Sequence, residues 1–247
     1  MRVDVHFGLP TSAAELTGRV VAVIDVLRAS STIAAALHNG ARAVVPLESP
    51  DEVETRLKAF ARADVVLAGE RKMLPISGFD LGNSPREMVR EKVEGRTVLL
   101  TTTNGTMALT GVAGARDVVV ASYVNFTAVL TMLRAALRGG TDIAVVCAGR
   151  DRQFSLEDAA CAGRYVHHVT KRLSKVDLND AAIAATLIDR RFGENIRKLF
   201  DASAHGQALA GAGFADDLAV CATIDAFNVI PIYQERQITM LGPDRER

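Results

Sequence analysis

Short runs of β-branched and aliphatic residues alternate along the chain with Ala-rich stretches of helical spacing. The runs Val3–Phe7, Val20–Asp25, Ala43–Leu47, Val65–Ala68, Thr97–Thr101, Asp117–Ala121 and Ile143–Cys147 predict strands. Between them, Ser31–His38, Pro50–Ala61, Thr106–Val112, Thr127–Arg138 and Leu156–Leu173 predict helices. The strand runs are almost wholly apolar instead of alternating, as strands covered on both faces must be. The expected architecture is therefore α/β, a three-layer α/β/α sandwich with a mixed, largely parallel sheet. The last third changes character: Asn179–Gly211 reads as two or three consecutive helices punctuated by Gly193 and Gly206. Val229–Tyr233 and Gln237–Leu241 read as closing strands, which makes the sheet mixed. No Pro/Gly/Ser linker divides the chain, so residues 1–247 are expected to form a single compact domain. Two lobes, with a helical C-terminal third from about residue 175, are the alternative.

Composition narrows the function classes. Among 247 residues, 29 Lys+Arg balance 29 Asp+Glu, which removes the electrostatic footprint of a nucleic-acid binder and leaves no polybasic segment for an anionic membrane. A hydrophobic content of 49% excludes a largely disordered chain. The charge-free stretch Thr97–Ala115 is too rich in Thr, Asn and Gly to span a bilayer, and the amino terminus lacks the apolar core of a signal peptide. Cys147, Cys161 and Cys221 are odd in number and match no zinc spacing, so a reduced, cytoplasmic setting is expected. A homodimer is expected only because closed homo-oligomers are common.

Three predicted strands end in a small polar cluster that leads straight into a helix: Asp25…Arg28-Ala29-Ser30-Ser31-Thr32, Thr101-Thr102-Thr103-Asn104-Gly105-Thr106, and Cys147-Ala148-Gly149…Ser155. Strand carboxyl ends form the ligand crevice of α/β sheets, and helix-opening N–H groups with hydroxyls suit a small anion. In the first cluster Asp25 is a candidate metal ligand beside the anion clamp of Arg28, Ser30, Ser31 and Thr32; the alternative is a helix cap with an Asp25–Arg28 pair. In the second, Thr102 to Thr106 can bring backbone N–H groups close to an oxyanion, without being a Walker A loop. Glu70 follows a strand and opens a long loop that carries Asp80. Ser84-Pro85-Arg86-Glu87 reads as a capping box with Pro at the first helical position, as does Ser49-Pro50-Asp51-Glu52. Glu157 and Asp158 open a helix behind Ser155, where they either complement the helix dipole or point at a divalent cation. Asp217 is either a further carboxylate or a surface helix start, and the five His are isolated or structural.

Together, Asp25–Thr32, Gly69-Glu70-Arg71, Gly78-Phe79-Asp80-Leu81-Gly82-Asn83-Ser84-Pro85, Thr101–Thr106 and Cys147-Ala148-Gly149 with Glu157-Asp158 resemble the 2-phosphosulfolactate phosphatase family, with signals from Asp25 to Ile232. The resemblance implies a Mg²⁺-dependent phosphatase that converts 2-phosphosulfolactate to 3-sulfolactate and inorganic phosphate, a step of coenzyme M biosynthesis. It implies Mg²⁺ on Asp25 and Glu70 with Glu157 or Asp158. It implies phosphate and acid groups cradled by Arg28, Ser30, Thr32, Thr102, Thr103, Asn104, Gly105, Thr106 and Gly149, and a leaving-group acid such as Asp80. Asp25 and Ser31 are candidates for a phosphoenzyme, and metal-bound water is the alternative nucleophile. The expected partner is a small anionic phospho-acid. The rival readings are the same chemistry on another phosphorylated 2-hydroxy acid and a non-catalytic binder of small polyanions.

Overall fold

The computed structural model describes residues 1–242 apart from Ala113 and Arg152. The strands are β1 (Arg2–His6), β2 (Val20–Ile24), β3 (Ala43–Leu47), β4 (Val65–Arg71), β5 (Leu74–Pro75), β6 (Thr97–Thr101), β7 (Asp117–Ala121), β8 (Ile143–Cys147), β9 (Asp177–Leu178), β10 (Pro231–Gln234) and β11 (Gln237–Met240). The helices are α1 (Ala29–His38), α2 (Pro50–Leu57), α3 (Arg90–Val93), α4 (Gly105–Thr110), α5 (Phe126–Arg138), α6 (Leu156–Thr170), α7 (Asp180–Phe192), α8 (Ile196–Ala202), α9 (Ala204–Gly211) and α10 (Ala215–Cys221).

The sheet order is β5-β4-β6-β3-β11-β10-β7-β2-β8-β1-β9. One parallel block, β4-β6-β3, is joined to a second, β7-β2-β8-β1-β9, by the antiparallel hairpin β10/β11. Three antiparallel steps in succession make the two blocks run in opposite senses. Neighbouring strands twist by roughly 20–25°. Over the five steps from β6 to β2 this amounts to roughly a right angle. Carboxyl ends that a flat sheet would hold on opposite edges are thereby turned towards one cleft.

The continuous apolar strands have a direct explanation in the layers. In β2, Val20, Ala22 and Ile24 enter one core with residues of α5 and α6, including Leu130, Leu133, Ala160 and Tyr165. Val21 and Val23 enter a second core, on the other face, with Ile33, Ala36 and Leu37 of α1 and Ala108 and Leu109 of α4. β8 divides in the same way, Val145 to the first core and Ala144 and Val146 to the second. Each strand parity meets its own helix layer, so no position is left to be polar. A third core under α2 covers Val45, Leu47, Val65, Leu67 and Leu99. The three-layer α/β/α sandwich with a mixed, mostly parallel sheet is the fold observed.

Several expected details differ. The segment after Ser84 is a turn and not a helix: Ser84 Oγ accepts from Arg86 N–H, Glu87 turns back to accept from Gly82 N–H, and helix α3 starts only at Arg90. Gly206 does not end a helix. It lies inside α9, buried, where a Cβ would collide with the Phe200 carbonyl. The break falls at Ser203, whose Oγ accepts from Gly206 N–H and caps α9. The Ser49 cap on α2 is present, Glu52 N–H donating to its Oγ at 3.1 Å. β4 runs on to Arg71, so Glu70 lies in the strand and does not follow it.

Candidate active site

The ends of β2, β4 and β6 converge on a cavity of about 290 Å³. Asp25 and Arg28 line it from the first cluster, Glu70 and Lys72 from the end of β4, and Thr102, Thr103 and Asn104 from the β6–α4 turn. Asn83, Arg150, Asp151 and His205 complete the polar lining.

Asp25 is buried at the foot of α1. Its Oδ1 accepts from Ala29 N–H at 3.2 Å, and its own N–H donates to Ser30 Oγ at 2.9 Å. Burial pushes its carboxyl up to about 6, opposed by His205 and the Ala29 N–H and reinforced by the charges of Glu70 and Glu157. The carboxylate faces the first residue of α4 so closely that a Cβ on Gly105 would stand 2.7 Å from Asp25 Oδ2 and 2.5 Å from Ala29 Cβ. Only glycine lets the two helix starts meet there.

Arg28 does not pair with Asp25. Its Nη1 donates to Asp217 Oδ2 at 2.6 Å and its Nη2 to the Met73 carbonyl at 3.0 Å, and its guanidinium lies over the Phe214 ring at 4.1 Å. Asp217 also accepts from Ser84 Oγ at 2.6 Å. This buried carboxylate of α10 ties the long loop after β4 to the α1 start, a role its surroundings in sequence do not announce.

In the β6–α4 turn several polar groups are spent internally. Thr106 N–H donates to Thr102 Oγ1, Thr106 Oγ1 donates to the Thr102 carbonyl, and Thr103 N–H donates to Glu70 Oε1 at 2.7 Å. Glu70 Oε2 accepts from Met73 N–H at 2.8 Å, so this carboxylate braces two loops at the cavity rim. Asn104 Oδ1 accepts from Asp151 N–H at 3.0 Å. By contrast Thr103 Oγ1 and Asn83 Oδ1 are buried cavity-lining atoms without a hydrogen-bond partner. A buried polar atom left unpaired is costly, and both point to a ligand that would satisfy them.

Glu157 is buried at the start of α6, with His205 Nδ1 3.3 Å from its Oε1. The contact lacks hydrogen-bond alignment, and Oε1 has no hydrogen-bond partner. Burial alone would raise the Glu157 carboxyl, but the adjacent His205 outweighs it and holds it below the usual range. Asp158 stands behind the cavity. Its Oδ1 accepts from Val26 N–H at 2.8 Å and its Oδ2 from Gly149 N–H at 3.2 Å, so it laces the ends of β2 and β8 together. Burial, then the charges of Asp25 and Glu157, pushes its carboxyl well up.

The remaining sequence candidates are placed elsewhere. Ser31 is fully buried, donates to the Val26 carbonyl and shares a hydrogen bond with Ser122 Oγ, away from the cavity lining. Asp80 ion-pairs with Arg62 at 2.6 Å and accepts from Leu67 N–H at 2.8 Å, which pins the loop to β4 on the outer side. Ser30 caps Asp25, Thr32 donates to the Asn83 carbonyl, and Gly149 shapes the turn beneath Arg150 with φ +70°. His205, Lys72, Asn83 and Arg150 line the cavity without having been singled out as binding residues. Glu157 and His205 are 48 residues apart in sequence, so only the fold brings them together.

The profile of the 2-phosphosulpholactate phosphatase family matches residues 9–236. The chain belongs to the 2-phosphosulfolactate phosphatase family. Its similarity to individual members extends over nearly the whole length. It is 42% identical over 229 residues to a protein described as a probable 2-phosphosulfolactate phosphatase from Symbiobacterium thermophilum, covering 93% of this chain and 97% of the relative. It is 37% identical over 217 residues to one so described from Caldanaerobacter subterraneus, with 88% of each chain covered. A third, from Thermotoga petrophila, is 39% identical over 213 residues, 86% of this chain and 88% of the relative. 2-Phosphosulfolactate phosphatases are phosphoric monoester hydrolases, so the protein is a hydrolase. Among the described residues, no helix is long and apolar enough to cross a membrane.

Among the described residues, no group of three or more His, Cys, Asp or Glu side chains is arranged as a closed metal site. Mg²⁺ seldom needs one: it is usually held by one or two carboxylates, waters and substrate phosphate. Glu157 Oε1, which faces His205 without an aligned hydrogen bond, and the nearby buried Asp25 carboxylate offer the hard oxygen donors for that open mode.

Proposed function

We propose that this protein is a Mg²⁺-dependent phosphatase that hydrolyses 2-phosphosulfolactate to 3-sulfolactate and inorganic phosphate, in sulfolactate metabolism and coenzyme M biosynthesis. The observation that carries this reading is a pair of unsatisfied buried polar atoms, Thr103 Oγ1 and Asn83 Oδ1, that line one cavity with the cationic side chains of Arg28, Lys72 and Arg150, while Glu157 Oε1 lies behind the lining residue His205. A trianionic substrate needs a donor for the phosphoryl group, which Thr103 Oγ1 supplies, and cations for carboxylate and sulfonate; the acceptor oxygens Asn83 Oδ1 and Glu157 Oε1 suit a bound cation or its waters.

In this reading Asp25 and Glu157 hold the cation, and Glu70 sets the turn through Thr103 N–H. When bound, Mg²⁺ draws charge from a phosphoryl oxygen. Thr103 Oγ1 donates to the phosphoryl group, and Arg28, held by Asp217, keeps a fixed cation at the wall. Lys72 and Arg150 receive the carboxylate and sulfonate. Water attacks phosphorus, the bond from phosphorus to the C2 oxygen breaks, and the departing alkoxide takes up a proton. His205, with Glu157 on its Nδ1 side, is placed to hold that proton. Ser31 and Asp80 have no part in this scheme.

The test is phosphate release from a panel of 2-phospho-acids, with Mg²⁺ and with EDTA. Release from 2-phosphosulfolactate, lost in EDTA and restored by Mg²⁺, is the expected result. Preference for a member without a sulfonate would move the substrate to another phosphorylated 2-hydroxy acid. No release from any member would overturn the enzymatic reading.

A further inference from the structure

A second polar cavity, of about 360 Å³, is lined by Arg134, Arg138, His168, Lys171 and Arg172. It lies between the carboxyl end of α5 and that of α6. The amino end of α6 meets the candidate active-site cleft at Glu157, whose neighbour His205 lines that cleft, and its 15 residues carry the chain about 22 Å away. The two cavities are therefore separate sites.

Every lining group is a cation or can become one, in a chain whose net charge is zero. Among the described residues, Arg134, Arg138, Lys171 and Arg172 form no ion pair with a carboxylate. Burial holds the His168 imidazole below its usual value, and the charged groups that add to this, His167, Arg164, Lys171 and Arg134, are all basic. Helix dipoles favour cations at carboxyl ends, but each end acts only over its last turn. They do not require two such ends to face one hollow.

The cluster is also built. Arg134 donates from Nε at 3.1 Å and from Nη2 at 2.8 Å to the His168 carbonyl, which locks the last turn of α6 against α5. Its planar fork is thereby fixed at one wall, while Arg138, Lys171 and Arg172 are exposed around it. Four like charges held around a concavity repel one another unless an anion joins them.

We infer that this cavity is a binding site for a small polyphosphate anion, one carrying two or more linked phosphate groups. Several phosphate oxygens can engage guanidinium and ammonium donors from both helices at once. The concave shape favours a compact anion over a nucleic acid, which needs a continuous basic stripe, and among the described residues no Phe, Tyr or Trp lines the cavity to stack a base, the His168 ring being packed against Phe126 and His167.

Inorganic pyrophosphate is the probe, at physiological salt, with amide hydrogen exchange followed by mass spectrometry to place it. Pyrophosphate is expected to protect the segments Arg134–Arg138 and His168–Arg172. In the double variant Arg138→Glu/Lys171→Glu that protection disappears and affinity at the site falls about tenfold or more. Phosphate release in the absence of pyrophosphate stays at the parent level. Should the charge reversal fail to fold, Arg138→Gln/Lys171→Gln tests the same point. Protection confined to the Thr101–Thr106 turn, or equal protection in parent and variant, overturns the inference. So does protection of these helix ends by a mixed-sequence single-stranded oligonucleotide and not by pyrophosphate, which would make the face a nucleic-acid contact.

Discussion

Arg28 and Asp217 stand 189 residues apart in the chain and meet at 2.6 Å, with side chains 2% and 3% exposed. The pair joins the start of α1 to α10, and Ser84 Oγ on the second carboxylate oxygen adds the loop after β4. Removing one member leaves a buried charge without its partner, which costs about 3–5 kcal/mol. Asp217→Asn is expected to lower the urea midpoint clearly. It should also raise KM for the phospho-acid, because Arg28 is then held only by the Met73 carbonyl and the Phe214 ring. Unchanged stability together with unchanged KM would show that the pair neither braces the cleft nor positions Arg28.

Asp25→Asn keeps the shape of the side chain and the Ala29 cap but removes the negative charge. Loss of a group that stabilises the transition state electrostatically costs roughly 10²–10³ in kcat. Phosphate release is expected to fall by about that factor, and the residual activity should no longer respond to Mg²⁺. A variant with parent kcat and parent Mg²⁺ dependence would remove Asp25 from the mechanism.

Thr103 offers a finer test, because its buried hydroxyl has no partner within the protein. Replacing an unpaired buried hydroxyl by a methyl group of the same shape is close to neutral for stability. Thr103→Val is therefore expected to leave the melting temperature unchanged or slightly raised. If the hydroxyl donates to the substrate, kcat/KM falls by about tenfold, the worth of one hydrogen bond to a charged group. A drop in stability with kcat/KM intact would mean that Thr103 serves only the turn.

How far these arrangements can be read from sequence depends on how local they are. Asp25 and the Thr102–Thr106 turn stand at strand ends, and an apolar run that stops at a polar cluster marks such an end directly. The parity of β2, with alternate residues entering two different cores, explains why its run shows no alternation and why a two-faced sheet was legible. What residue type does not reveal is direction. Ser31 sits beside Ser30 in the same helix start, yet its hydroxyl turns inward to Val26 and Ser122. Asp80 is an acid in a long loop, yet it is consumed by Arg62 and Leu67 N–H. His205 and Asp217 are drawn into place by α9 and α10, whose docking no nearby residue foretells. The hairpin β10/β11 was legible as two strands, but its insertion between two opposed parallel blocks is a tertiary choice.

Asp4, outside the lining of either cavity, provides a pH-dependent contribution to stability. Its side chain is 6% exposed and receives Arg19 Nη1 at 2.6 Å and Arg2 Nε at 2.8 Å. Burial alone would raise its carboxyl, but the hydrogen bonds and charges of Arg19 and Arg2 outweigh this and hold it below its ordinary 3.8. A carboxyl lower in the folded than in the unfolded chain binds fewer protons when folded, so its contribution is present above the unfolded value and fades as pH falls through the folded one. Asp4→Asn is therefore expected to destabilise the protein at pH 7, by about 1–3 kcal/mol from the lost charge-assisted bonds. Urea denaturation of parent and variant should show a constant gap from pH 6 to 8 that narrows as the pH drops below 3.8. A gap that stays the same down to acid pH would assign the effect to packing and not to the Asp4 charge.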